Sequence, residues 1–150
     1  GNPAHVDRTR IVRGNCLVRR ISTNSEFEKA VGYSRAVVDE HYVHVSGTTG
    51  FDYETMAISD DVIEQAHQAL GTIARSLAAA RCSFADIVRV TYYITDRDDY
   101  ETLMPVFKQY LGPHPPAATA LIAQLVDPRM KIEIEVTAQR PVTPRNAGEA

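Results

Sequence analysis

The stretch PPAATALIAQLVDPRMKIEIE, residues 115–135, holds two apolar runs separated by Val126-Asp127-Pro128-Arg129, a turn-forming tetrapeptide. Residues 117–125 and 130–138 read as two strands joined by that turn. The second alternates strictly through Ile132, Ile134 and Val136, with Glu133 and Glu135 between them. A period of two buries the branched residues on one face and turns the carboxylates to the other. The fold is therefore built outward from a sheet.

Upstream, residues 86–95 alternate as well, with Val88, Val90, Tyr92 and Ile94 on one face and Ile87, Arg89, Thr91 and Tyr93 on the other. Bulk on both faces predicts a strand covered on both sides. A helix follows, signalled by Asp96 to Asp99 and then Tyr100, Leu103, Phe107 and Tyr110 or Leu111. Pro105 inside it is expected to kink it or delay its start, and Gly112-Pro113 to end it. An earlier amphipathic helix starts at Ser59-Asp60-Asp61 and carries Ile63, Ala66, Leu70, Ile73 and Leu77 at spacings of three and four. Residues 36–47, AVVDEHYVHVSG, read as a hairpin around Asp39-Glu40.

The order ββ, helix, strand, helix, ββ predicts the α+β class: one mixed β-sheet with two helices on one face. Its other face needs cover, which self-association would supply.

At 150 residues the chain fits one domain. Such a domain buries roughly 70% of its unfolded surface without help from disulfides or metal. Residues 1–10 are read as a flexible N-terminus or cleavage remnant, 11–140 as the domain and 141–150 as a flexible tail. A net charge of −3 does not supply the basic field that nucleic-acid binding needs, so no nucleic-acid partner is expected. Cys16 and Cys82 lack metal-ligand or C-x-x-C spacing and fit reduced thiols in a cytoplasmic protein. No apolar run reaches the ~20 residues that span a bilayer, and no membrane partner is expected. His5, His41, His44, His67 and His114 show no H-x-H or H-E-x-x-H spacing, and no nucleophile elbow or phosphate-binding glycine loop is present.

Three segments in register, Gly32-Tyr33-Ser34-Arg35-Ala36-Val37, His44-Val45-Ser46-Gly47 and Ile132-Glu133-Ile134-Glu135-Val136-Thr137-Ala138, resemble the Rid/YjgF family. The runs from Gln65 to Leu77 and from Asp86 to Asp99 resemble its Q-A-x-x-x-L-x-N-I helix and its D-V-V-x-x-x-x-Y-x-T-D strand and turn. The likeness covers roughly residues 20–140. It implies a chorismate-mutase-like (YjgF) fold and a homotrimer whose sheets form an inner barrel, with a pocket at each subunit interface. In competent relatives that pocket hydrolyses enamines and imines, releasing ammonia, and needs no cofactor and no metal.

The resemblance makes Glu133 the water-positioning glutamate and Tyr33 the pocket tyrosine. Ala118 falls where the family motif P-A-R-[ST] has arginine, and Ala120 where many deaminating members have cysteine. Gly32 stands where the motif's proline would sit. Loss of a charge-assisted contact to a substrate carboxylate weakens binding by ~2–5 kcal/mol. That makes ordinary 2-imino acids doubtful substrates. Arg35, two residues after Tyr33, is either a replacement guanidinium or a plain surface arginine. Glu133 and Tyr33 have bland readings too, a solvated strand charge and a packing tyrosine. Arg81 replaces a glycine that commonly caps the first predicted helix, at ~1–2 kcal/mol if left-handed φ is kept.

The functional expectation is an intersubunit pocket for a small metabolite, hydrolysing a reactive enamine or imine of atypical shape. A non-catalytic binding or chaperone-like trimer is the alternative. Ribonuclease activity, attached to some relatives, is disfavoured by the acidic balance and the lack of a His/Lys/Arg catalytic cluster.

Overall fold

A computed structural model describes residues 6–13 and 16–142, with side chains from residue 18 onward. Its strands are β1 (Val6–Arg13), β2 (Cys16–Ser22), β3 (Ala36–Val38), β4 (Tyr42–Thr49), β5 (Ile87–Ile94), β6 (Ala117–Ile122) and β7 (Ile132–Gln139). Its helices are α1 (Glu26–Val31), α2 (Val62–Ala79) and α3 (Tyr100–Leu111). The strands form one mixed sheet in the order β1-β2-β3-β4-β7-β5-β6, antiparallel except for the β5–β6 pair. The α+β class and mixed sheet expected from the sequence are the observed ones.

β7 sits between β4 and β5, and its alternation does what the sequence requires. Ile132, Ile134, Val136 and Ala138 are buried, while Glu133, Glu135 and Thr137 lie half-buried on the opposite face. The buried face meets α2 through Ala66, Leu70, Ile73 and Leu77, and α3 through Leu103 and Val106. Tyr92 of β5 stacks on Phe107 of α3 with ring centroids 3.8 Å apart. Both predicted helices therefore cover one face. α2 starts where the sequence placed it: the Asp61 carboxylate accepts from the Glu64 amide at 3.0 Å. α3 keeps Pro105 within it and begins at Tyr100, after a 3-10 turn over Arg97–Asp99.

Three details depart from the sequence reading. β6 and β7 do not form a hairpin, because β5 lies between them. Alternation fixes which way side chains point but not which strand lies alongside. β6 runs parallel to β5, and α3 provides the long crossover that parallel pairing requires. The alternation of β5 is also interrupted. A register shift between Ile87 and Arg89 buries Ile87 with Val90 and leaves Val88 41% exposed, as a β-bulge does. Finally, β1, β2 and the short α1 were not foreseen. Val6 to Arg10 belong to β1, so the boundary drawn at residue 10 cuts a strand. Residues 1–5 and 143–150 of the expected tails lie outside the described residues.

α1 explains an apparent gap in the motif. Ser25 and Glu28 form a capping box at its start, and Gly32, at φ 86°, closes it with its amide on the Glu28 carbonyl at 2.9 Å. Gly32 is a left-handed cap, a conformation that proline cannot adopt.

After α2, Arg81 has φ 61°, and the Cys82 amide returns to the Leu77 carbonyl at 2.8 Å. A side chain here pays the left-handed penalty that glycine avoids. Arg81→Gly is expected to stabilise the fold by about 1 kcal/mol in urea unfolding, with an unchanged m-value; a destabilised variant would contradict this account.

Candidate active site

On the face of the sheet opposite α2 and α3, Glu133 is in register with Thr49 of β4 on one side and Tyr93 of β5 on the other. It borders a cavity of about 490 Å³ together with Tyr33, Ser46, Gly47, Tyr53 and Glu135, and α1 adds Phe27 to the wall. The walls are mainly aromatic and aliphatic, with a few polar groups converging, as small-molecule sites are built.

Glu133 reaches this position because β4 breaks its ladder with β7. The pairing shifts register between Val45 and Thr48, which sets Ser46 and Gly47 out of the regular pattern. The Glu133 carboxylate lies so close to Gly47 that an added Cβ would stand 1.9 Å from its Oε1. Gly47 is required here for close approach, not for an unusual φ.

The same corner is tied to the segment before β3. Ser46 Oγ donates to the Ser34 carbonyl at 2.6 Å, the Ser46 amide donates to the Arg35 carbonyl at 3.0 Å, and Arg35 Nη2 donates to the Gly47 carbonyl at 2.5 Å. Neither Tyr33 nor Arg35 lies within a strand, because β3 begins at Ala36. Tyr33 lines the cavity. Arg35 is fully buried, which overturns the surface reading. It does not line the cavity either: its guanidinium lies 4.7 Å from the Tyr53 ring centroid and 5.6 Å from that of Tyr33.

Burial pushes the Glu133 carboxyl above its ordinary value; Arg35 opposes this, and Glu135 adds to it. In linkage terms a raised acid contributes stability below its unfolded-state pKa and loses that contribution as pH rises through the folded one. Keeping Glu133 ionised at neutral pH therefore works against folding, a pattern typical of functional carboxylates. Burial likewise raises the Tyr33 hydroxyl, with the nearby guanidinium opposing. Tyr93 donates to Glu135 Oε1 at 2.7 Å, which occupies the second carboxylate of the face.

Tyr53, which the sequence reading missed, and Gln65, which it named only as the start of a helix motif, shape the site. Tyr53 accepts from the Thr49 amide at 2.9 Å, holding its ring over Arg35. Buried Gln65 donates to the Ser59 and Arg129 carbonyls and accepts from the Lys131 amide, all within 2.9 Å, fixing the approach to β7. Its place at the head of the helix motif gave no sign of these partners.

Ala118 and Ala120 are not brought to Glu133. Within the chain they line two other recesses between β6 and α3. Among the described residues no group of three or more His, Cys, Asp or Glu is placed to hold a metal ion, and no helix is long and apolar enough to cross a membrane.

Residues 23–140 match the family model described as Endoribonuclease L-PSP. The chain is 34% identical over 130 residues to the human 2-iminobutanoate/2-iminopropanoate deaminase, covering 85% of this chain and 95% of that protein. The goat deaminase of the same name is 35% identical over the same length, with the same coverage. Among solved structures, a Mycobacterium tuberculosis member of the YjgF/YER057c/UK114 family superposes with a TM-score of 0.75 at 35% identity, covering 82% of this chain and 99% of that one. Escherichia coli TdcF, solved with bound serine, gives 0.68 at 30% identity over 73% and 88%. With the family model, the relatives and the solved structures in agreement, the chain belongs to the Endoribonuclease L-PSP family, the Rid/YjgF family that its sequence resembles.

Proposed function

We propose that this protein hydrolyses a small enamine or imine, releasing ammonia and a carbonyl compound, with Glu133 as the group that moves protons. The observation that carries this reading is a carboxylate held against Gly47 in a largely apolar cavity, its pKa raised toward the range useful for proton transfer. The names of the human and goat relatives favour the same chemistry.

For an enamine, a proton from solvent adds at the β-carbon and gives the iminium, the protonated imine. Ionised Glu133 then takes a proton from water as the water oxygen bonds to the iminium carbon and the C=N π pair returns to nitrogen, giving the neutral carbinolamine. Glu133 gives that proton to the nitrogen, the C–N bond breaks to release ammonia, and the hydroxyl proton returns to solvent as the carbonyl forms. The Tyr33 and Tyr53 rings supply apolar walls, and no step requires a metal or cofactor.

The site is taken to be completed by further copies of this chain in a cytoplasmic homotrimer. Leu121 and Ile122 of β6 are 46% and 47% exposed, and nearby Val126 is 91% exposed, an apolar surface suited to a subunit boundary. Across such a boundary Ala118 and Ala120 would face a neighbouring pocket. Alanine at 118 provides no guanidinium for a carboxylate, which favours a substrate other than the common 2-imino acids.

Glu133→Gln is expected to lower ammonia release from enzymatically generated imines at least 100-fold, without loss of fold by circular dichroism. In the parent protein the acid limb of the rate profile should lie above the ordinary glutamate value of 4.5, with activity falling as pH drops through it. Turnover untouched by the substitution would remove Glu133 from the chemistry.

At Gly47→Ala the nearest atoms the new methyl meets belong to the Glu133 side chain, so the variant should fold but displace the carboxylate and lose roughly as much activity. Wild-type turnover in Gly47→Ala would show that the close approach has no catalytic role.

Ala118→Arg separates the substrate readings. Gain of activity on common 2-imino acids would mean that the rest of the pocket is competent and only the anchor is absent. Saturable ligand binding with no turnover of any imine, in either protein, would favour the non-catalytic trimer.

A further inference from the structure

Arg35 is an unusual component of this fold. A guanidinium carries five N–H donors and stays charged, so a fully buried one needs compensation. Here one contact is plain, from Nη2 to the Gly47 carbonyl, while Nε and Nη1 are enclosed without a hydrogen-bond partner among the described residues. The Tyr33 and Tyr53 rings lie against the cation but do not neutralise it. The Glu133 carboxylate packs against the same glycine, where a side chain at 47 would begin. The cation, at the Gly47 carbonyl, and the carboxylate thus meet at one residue, and Arg35 acts on Glu133 as a favourable charge.

We propose that Arg35 is a positioning residue for Glu133: buried beside Gly47, it fixes the corner on which the carboxylate rests and supplies a cationic field next to it. This deepens the proposed function and rests on its assignment of Glu133. The ionisable groups facing Glu133 are Arg35 from the segment before β3, Glu135 from β7, Tyr93 from β5, and Tyr33 and Tyr53 from the loops. Tyr93 is engaged with Glu135. Desolvation and Glu135 both disfavour the charged form, and Arg35 is the group that counters them. A neutral residue at 35 leaves the carboxylate without that counterweight.

The test is a carbon-13 NMR titration of the glutamate carboxyls in the full chain, with Glu133 and Glu135 assigned through Glu133→Gln and Glu135→Gln. In Arg35→Gln the Glu133 midpoint should rise by about one pH unit or more, a tenfold change in its ionisation constant, and Arg35→Lys should restore most of it. The acid limb of ammonia release should move with the midpoint. A midpoint unmoved in folded Arg35→Gln overturns the proposal. Should Arg35→Gln not fold, the double variant Arg35→Gln/Glu133→Gln is expected to recover the fold, and a double variant that stays unfolded also overturns it. A midpoint that shifts in a protein with no turnover of any imine keeps the coupling and removes the reaction, whereas turnover with an unmoved midpoint does the reverse.

Discussion

β7 is hydrogen-bonded along both edges, to β4 and to β5, and this double constraint governs the rest of the molecule. A strand held on both sides cannot rotate or slip without losing two ladders, so each of its residues has one face. Four apolar side chains go toward α2 and α3, and the carboxylates between them go to the other side. The residues that stabilise the fold and the residue proposed for chemistry are therefore neighbours on one strand, separated by the thickness of the sheet. A one-residue slip would place Glu133 in the apolar core, where an unpaired carboxylate is strongly unfavourable.

The position of Glu133 needs a second device, because a regular ladder would leave no room beside it. The break in β4 at Ser46-Gly47 makes that room, and three hydrogen bonds to Ser34 and Arg35 keep the break in one shape. Burial of a carboxylate and burial of a guanidinium are each unfavourable alone. Sharing one glycine between them lets the structure tolerate both while leaving the carboxylate at the cavity wall.

What the sequence made legible was periodic. α2, α3, β7 and the β3–β4 hairpin follow from spacing, caps and turn residues, and Glu133 was placed on the solvent-side face of its strand by alternation plus family likeness. Partner choice was not periodic: nothing in residues 115–135 says that β5 inserts between β6 and β7. The bulge at Ile87 was hidden because Ile87 and Val88 are both apolar and either can be buried. Arg35 was misjudged because composition-based expectation keeps arginine at the surface, and only tertiary structure reveals the two tyrosines and the glycine carbonyl that enclose it. Gln65 was legible as part of a helix motif, but its bonding role was not, since its partners at Arg129 and Lys131 are distant in sequence.

The central place of β7 also bears on how the chain is made. Every other described strand precedes it in sequence, so during synthesis β4 and β5 wait as two open edges until β7 threads between them. Exposed edges of this kind are templates for pairing with the wrong chain. The cavity does not exist in any shorter folding intermediate, because its carboxylate arrives with the last strand. Assembly of the candidate site and closure of the sheet are thus a single event, and a nascent chain interrupted before residue 132 would carry most of the core but lack Glu133.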